Sequence, residues 1–348
     1  MSVEWLFPLS TVQFIWFSAF VVLLTGYAIL DGFDLGVGIL HLFAKKDVDR
    51  RLMLNSIGPV WDGNEVWLVT AGGALFAGFP DVYATICSAF YIPIMVLLAG
   101  IIFRAVAIEF RSKQPMAWWR WMWDILFAFA SVTIAFVLGA AMGNLIRGIP
   151  LDSYKEFTGS LEDIFHPYPI LVGVFTVALF IMHGSIYLML KTEGAFHERM
   201  RQWVNPSIIF YIICYATVTM VTLIYYPHMV ETLKDRPAFF MIALANMLLI
   251  ANIPREIYYG RDGWAFISSA LNIAMLLCLY GLGTYPIAVR AINNPAELSL
   301  TIFNSSSSLE TLHILLLIAL IGIPMVIAYT VSIYYIFRGK VRLDEHSY

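Results

Sequence analysis

The chain of 348 residues is 60% hydrophobic and 13% charged, with a net charge of -3 and a mean hydropathy of +0.77. Soluble domains carry about 25% charged residues, so this composition excludes an ordinary soluble enzyme and points to a polytopic, all-α membrane protein. The small net charge excludes the basic footprint of a nucleic-acid binder, and no nucleic-acid partner is expected.

Nine apolar runs are read as spans in chain order: Val12–His41, Ile57–Phe79, Tyr83–Ile108, Met122–Leu145, Pro169–Leu190, Ser207–Tyr226, Ala238–Ile253, Trp264–Gly283 and Leu312–Phe337. Most reach the roughly 20 residues that a bilayer crossing needs. The first run is kept as a span, because Met1–Ser10 lacks the basic start of a cleavable leader. No soluble domain and no sequence repeat interrupts the series, so residues 1–348 are read as one membrane domain. Nine crossings put the termini on opposite sides. With the N-terminus outside, the inner side holds 16 of the 21 Lys and Arg residues, which favours N-out, C-in by the positive-inside rule. Trp118, Trp119, Trp121 and Trp123 form an indole cluster at the inner interface. The run Asn304-Ser305-Ser306-Ser307-Ser308 reads as a flexible outer loop. Cys87, Cys214 and Cys278 lie far apart inside apolar runs and read as buried thiols rather than a metal or disulfide site.

The chemistry concentrates in the first third. Asp31 and Asp34 end the first span and share a helical face. Gly32, Gly36 and Gly38 around them permit close approach of a neighbour. The span is longer than a bilayer needs, so the two carboxylates are either wet at a protruding end or open a proton path from the inner side. Asp62 and Glu65 are again three apart, in Trp61-Asp62-Gly63-Asn64-Glu65-Val66-Trp67. A charge at the centre of a membrane helix costs about 2.5–3.5 kcal/mol on insertion scales, so a partner, a proton or water must offset it. Arg104 lies at a depth that lets it pair with one of them. The pair is either a proton relay or a structural knot between helices. Trp61 and Trp67 read first as packing or interfacial anchors, and Gly72, Gly73 and Gly78 allow tight helix contact. His183 is the one mid-span histidine; it reads as hydrogen-bonded to a neighbouring helix rather than as a haem ligand, for want of a second ligand at matched depth.

These residues resemble subunit II of the cytochrome bd-type quinol oxidases. The resemblance rests on Asp31-Gly32-Phe33-Asp34-Leu35-Gly36-Val37-Gly38, Arg50-Arg51 with Asn55-Ser56-Ile57, Trp61 through Leu68, Thr70 through Phe76, Phe103-Arg104 and Glu109-Phe110-Arg111. Weaker echoes run to Tyr329–Phe337. The resemblance implies nine transmembrane helices arranged as two four-helix bundles, about 12–145 and 165–283, plus a peripheral last span at about 312–337. It implies a bacterial or archaeal cytoplasmic membrane and a partner, subunit I, that carries haem b and haem d, reduces oxygen and oxidises quinol from the membrane pool. This chain would bind no haem, with room for a structurally held quinone and for a small single-helix subunit. The resemblance assigns a cytoplasmic proton path to Asp31, Asp34, Asp62 and Glu65. Asp62 is then the foremost relay, Arg104 the charge partner, and Trp67 lies at the subunit boundary near an oxygen route. Glu65 stands where many relatives carry an amide, which adds a second titratable group. A proton-coupled secondary transporter or a purely scaffolding subunit are the alternative readings of the same residues.

Overall fold

The computed structural model describes residues 7–343; the first six residues of the segment read for a leader, and the last five residues, lie outside the described residues. In chain order the helices are α1 (Leu9–Leu40), α2 (Asp47–Ile57), α3 (Trp61–Gly78), α4 (Pro80–Ala89), α5 (Tyr91–Phe110), α6 (Ala117–Arg147), α7 (Leu161–Ile164), α8 (Pro167–Lys191), α9 (Gly194–Tyr225), α10 (Glu231–Asp235), α11 (Phe240–Tyr258), α12 (Asp262–Thr284), α13 (Pro295–Leu298) and α14 (Leu309–Ile336). Strands β1 (Ile287–Val289) and β2 (Leu300–Thr301) form a short antiparallel hairpin between α12 and α14. Among the described residues, eight helices are long and apolar enough to cross a membrane: α1, α5, α6, α8, α9, α11, α12 and α14.

Three expectations change. The second expected span, Ile57–Phe79, starts later: Ile57 ends α2, and the chain turns at Gly58-Pro59-Val60 before α3 begins at Trp61. The resulting 18-residue α3 is not among the eight apolar helices, because Asp62, Asn64 and Glu65 load its first turn with polarity. The third expected span, Tyr83–Ile108, is two helices that meet at Phe90. Pro93 has no N–H to give the carbonyl of Ala89, and its ring would crowd that carbonyl, so the ladder breaks there. The serine run 304–308 is tied down rather than loose. Ser307 donates its backbone N–H to Gly78 (2.9 Å) and its hydroxyl to Ala77 (2.6 Å), which satisfies carbonyls that the end of α3 leaves open.

The core is built around α1, which packs against α3, α6, α8, α12 and α14. Every residue from Asp31 to Leu40 is buried, whereas the N-terminal part of α1 is mostly half-exposed. The deepest crossing is with α8. A Cβ on Gly184 would stand 2.6 Å from Gly36 C and 2.7 Å from Val37 N, so only hydrogen fits between the backbones. Gly184→Ala is expected to cost about 1–3 kcal/mol by forcing the helices apart, seen as a lower thermal midpoint of the purified protein. Gly72→Ala, where a Cβ meets nothing within 4 Å in this chain, should leave that midpoint in place. The tight contact expected at Gly72 and Gly73 is thus absent within this chain.

The last helix is held differently. The most apolar window of α14 has none of its residues buried, and its C-terminal end is clasped by reciprocal polar contacts. Lys191 Nζ donates to Phe337 O (2.6 Å), Lys340 Nζ to Met189 O (3.3 Å) and Val341 N to Lys191 O (2.8 Å). The carbonyls at the ends of α8 and α14 therefore cap one another through lysines.

Candidate functional site

Three helices converge on the C-terminal half of α1. Asp31 and Asp34 come from α1, Asn64 and Glu65 from the first turn of α3, Arg104 from α5 and Tyr334 from α14. Arg104 Nη2 donates to Asp31 Oδ1 at 2.7 Å, and Arg104 Nε donates to Glu65 Oε1 at 3.1 Å; Nη2 also pairs with that Glu65 oxygen. Asn64 Nδ2 donates to Asp34 Oδ2 (2.7 Å) and to Leu30 O (3.2 Å), while the Tyr334 hydroxyl donates to Asn64 Oδ1 (2.9 Å). Asp31, Asp34, Asn64 and Arg104 are buried, and Glu65 is the member nearest the surface. Tyr187, stacked on Phe33 at 3.9 Å, closes the α8 side and donates to Ser56 O at 2.7 Å.

The charges do not balance. Three carboxylates face one guanidinium, which stays charged under all conditions a protein meets. A surplus of carboxyls at a buried place is costly unless water, a proton or a further partner offsets it. Asp31 shares Arg104 with Glu65, whereas Asp34 has only an amide for a partner. Asp31 Oδ2, Asp34 Oδ1 and Arg104 Nη1 are buried and have no hydrogen-bond partner among the described residues. Two acceptors and a donor thus remain open at one place.

The sequence-derived residues fall into two sets. Asp31, Asp34, Glu65 and Arg104 meet, and Arg104 pairs with Glu65 rather than Asp62. The wet, protruding position for Asp31 and Asp34 is overturned, because α3, α6 and α8 enclose that end of α1. Asp62 does not join the cluster: its side chain is exposed on the far side of α3 from Asn64. The expectation that Asp62 is a buried group is therefore corrected, and the surplus carboxylates inside are those of α1. Trp67 is half-exposed, and its indole lies flat against Gly26 of α1, where a Cβ would overlap the ring.

Sequence reasoning passed over Asn64 and Tyr334. Asn64 carried a signal, since an amide sits between Asp62 and Glu65 in one turn; Tyr334 carried none. It also passed over a second buried knot where the C-terminal ends of α1 and α5 meet the start of α6. There Asp124 receives His41 Nε2 (2.5 Å), Arg50 Nη1 (2.7 Å) and Arg111 Nε (2.5 Å), and Arg111 Nη2 reaches on to Asp47 (2.7 Å). One carboxylate among cations is a fixed crosslink, the converse of the site around Asp34.

His183 has both nitrogens engaged. Nε2 lies 3.0 Å from Ile29 O, which can only accept, so Nε2 carries the proton and Nδ1 accepts from the Ser269 hydroxyl at 2.8 Å. Among the described residues no group of three or more His, Cys, Asp or Glu side chains could hold a metal ion.

A family model described as cytochrome bd terminal oxidase subunit II matches residues 12–337. The chain is 32% identical over 368 residues to "Cytochrome bd-I ubiquinol oxidase subunit 2" of Escherichia coli (strain K12), with 97% of each chain covered. It is 32% identical over 342 residues to "Cytochrome bd ubiquinol oxidase subunit 2" of Bacillus subtilis (strain 168), covering 97% of this chain and 99% of that one. A chain of the solved bd oxidase from Geobacillus thermodenitrificans has the same fold, with a TM-score of 0.77 at 18% identity, over 94% of this chain and 99% of that one.

Proposed function

The chain belongs to the cytochrome bd terminal oxidase subunit II family, and from that premise we propose that it carries protons from the inner side of the membrane toward an oxygen-reducing centre in a haem-bearing partner. As a family member it is a multi-pass bacterial membrane protein and a component of a quinol oxidase complex. In this reading haem b and haem d belong to subunit I, which also oxidises the quinol. This chain supplies no iron ligand; a structurally held quinone and a small single-helix subunit complete the expected assembly. The N-terminus lies outside and the C-terminus inside. The ninth crossing is α3, and the two bundles are α1, α3, α5 and α6, then α8, α9, α11 and α12, with α14 peripheral.

The observation that carries the reading is the surplus of buried carboxylates around Arg104. Protons enter by way of Asp31 and Asp34, pass Glu65 at the rim and leave toward the partner at Asp62. The face of α3 that bears Asp62, with Trp67 at its flank, is the boundary to the partner. Asp34→Asn in the purified complex is the test. It removes one titratable group and keeps its shape, so haem content should stay full while oxygen uptake falls about 100-fold or more, the typical contribution of a positioned proton-transfer group. Unchanged turnover at full haem content would end the proton-path reading, and loss of haem would favour a scaffolding role.

A further inference from the structure

The outermost helix reaches into the acidic cluster with one hydroxyl. Tyr334 is about one turn from Phe337, where Lys191 clasps the C-terminal end of α14, so the position of its ring is set from outside the bundle. Its hydroxyl meets Asn64 Oδ1 at 2.9 Å. That oxygen can only accept, so the tyrosine donates. On the other side of the same amide, Nδ2 donates to Asp34 Oδ2 and to Leu30 O. An amide carries no proton onward by itself, but its orientation decides whether Asp34 faces a donor or an acceptor. A donor favours the ionised carboxylate and an acceptor the protonated acid.

We propose that Tyr334 is a positioning residue: by donating to Asn64 it holds the amide with its N–H toward Asp34, and so governs how Asp34 keeps its proton. The proposal rests on the proton-path reading of the cluster. The other titratable and charged groups facing Asp34 are Asp31 on its own helix, Glu65 on α3, Arg104 on α5 and Tyr187 on α8. None of them touches Asn64 Oδ1, so the tyrosine is the route by which α14 acts on the site.

The test is Tyr334→Phe in the full complex, which keeps the ring and removes one hydroxyl. Three quantities are read: haem content, oxygen uptake with its dependence on quinol concentration, and the redox-difference infrared band of the protonated Asp34 carboxyl, identified by its loss in Asp34→Asn. Haem content and the KM for quinol should hold, kcat should fall about 2-fold to 10-fold, as for one lost hydrogen bond, and the carboxyl band should move. Asn64→Leu should move the same band, and adding Tyr334→Phe to it should change nothing further, since the hydroxyl acts only through the amide. An unmoved band and wild-type kcat in Tyr334→Phe, with Asp34→Asn silenced, overturn the role of Tyr334 and leave the proton path standing. So does a further loss in the double variant, which also decides the matter if the single variant assembles poorly. Full turnover in Asp34→Asn overturns the path itself.

Discussion

Replacing Arg104 by Gln is expected to destabilise the subunit by about 3–5 kcal/mol, the cost of removing one partner from a buried ion pair. The guanidinium is the one cation that Asp31 and Glu65 share, and it is 1% exposed. Without it three carboxyls crowd a dry site, and all must protonate or the helices must part. The expected result is a steep fall in the yield of assembled oxidase and a lower thermal midpoint of what remains. Glu65→Gln removes a charge of the opposite sign from the rim, leaves Asp31 paired, and should assemble. Wild-type yield and midpoint in Arg104→Gln would show that the guanidinium does not balance the cluster.

The second large effect belongs to the knot around Asp124. Asp124→Leu strips His41, Arg50 and Arg111 of their common carboxylate. Arg111 is 2% exposed and keeps only Asp47, so the cost is again about 3–5 kcal/mol. Asp47→Ala breaks two ion pairs of the same network, but Asp47 is 44% exposed, and the loss should stay near 1 kcal/mol or less. Thermal midpoints of the two variants side by side check the contrast. Equal midpoints would mean that the buried knot contributes no more than a surface pair.

Much of this was legible in the residues. Apolar runs located the membrane helices because lipid demands about 20 of them in succession. Spacing put Asp31 and Asp34 on one face, and depth brought Arg104 to Glu65. Exposure of Asp62 was not legible. The contact stripe of α3 runs Trp61, Asn64, Ala71, Leu75 and Gly78, narrow enough that a residue two places from Asn64 turns about 200° away from it, at 100° per residue. A three-residue spacing keeps two side chains near each other without saying that both face inward. Asp124 follows four tryptophans in six residues and was overshadowed by them. Tyr334 could not be found locally at all, since it lies 270 residues from Asn64 and nothing in its own helix marks it.

The hydrogen bonds that finish α3 come from far down the chain. The carbonyl of Ala77 waits for Ser307, 230 residues later, and Asn64 waits for a side chain later still. During synthesis, then, an early hairpin sits in the translocation machinery with its ends unfinished until almost the whole polypeptide has been made.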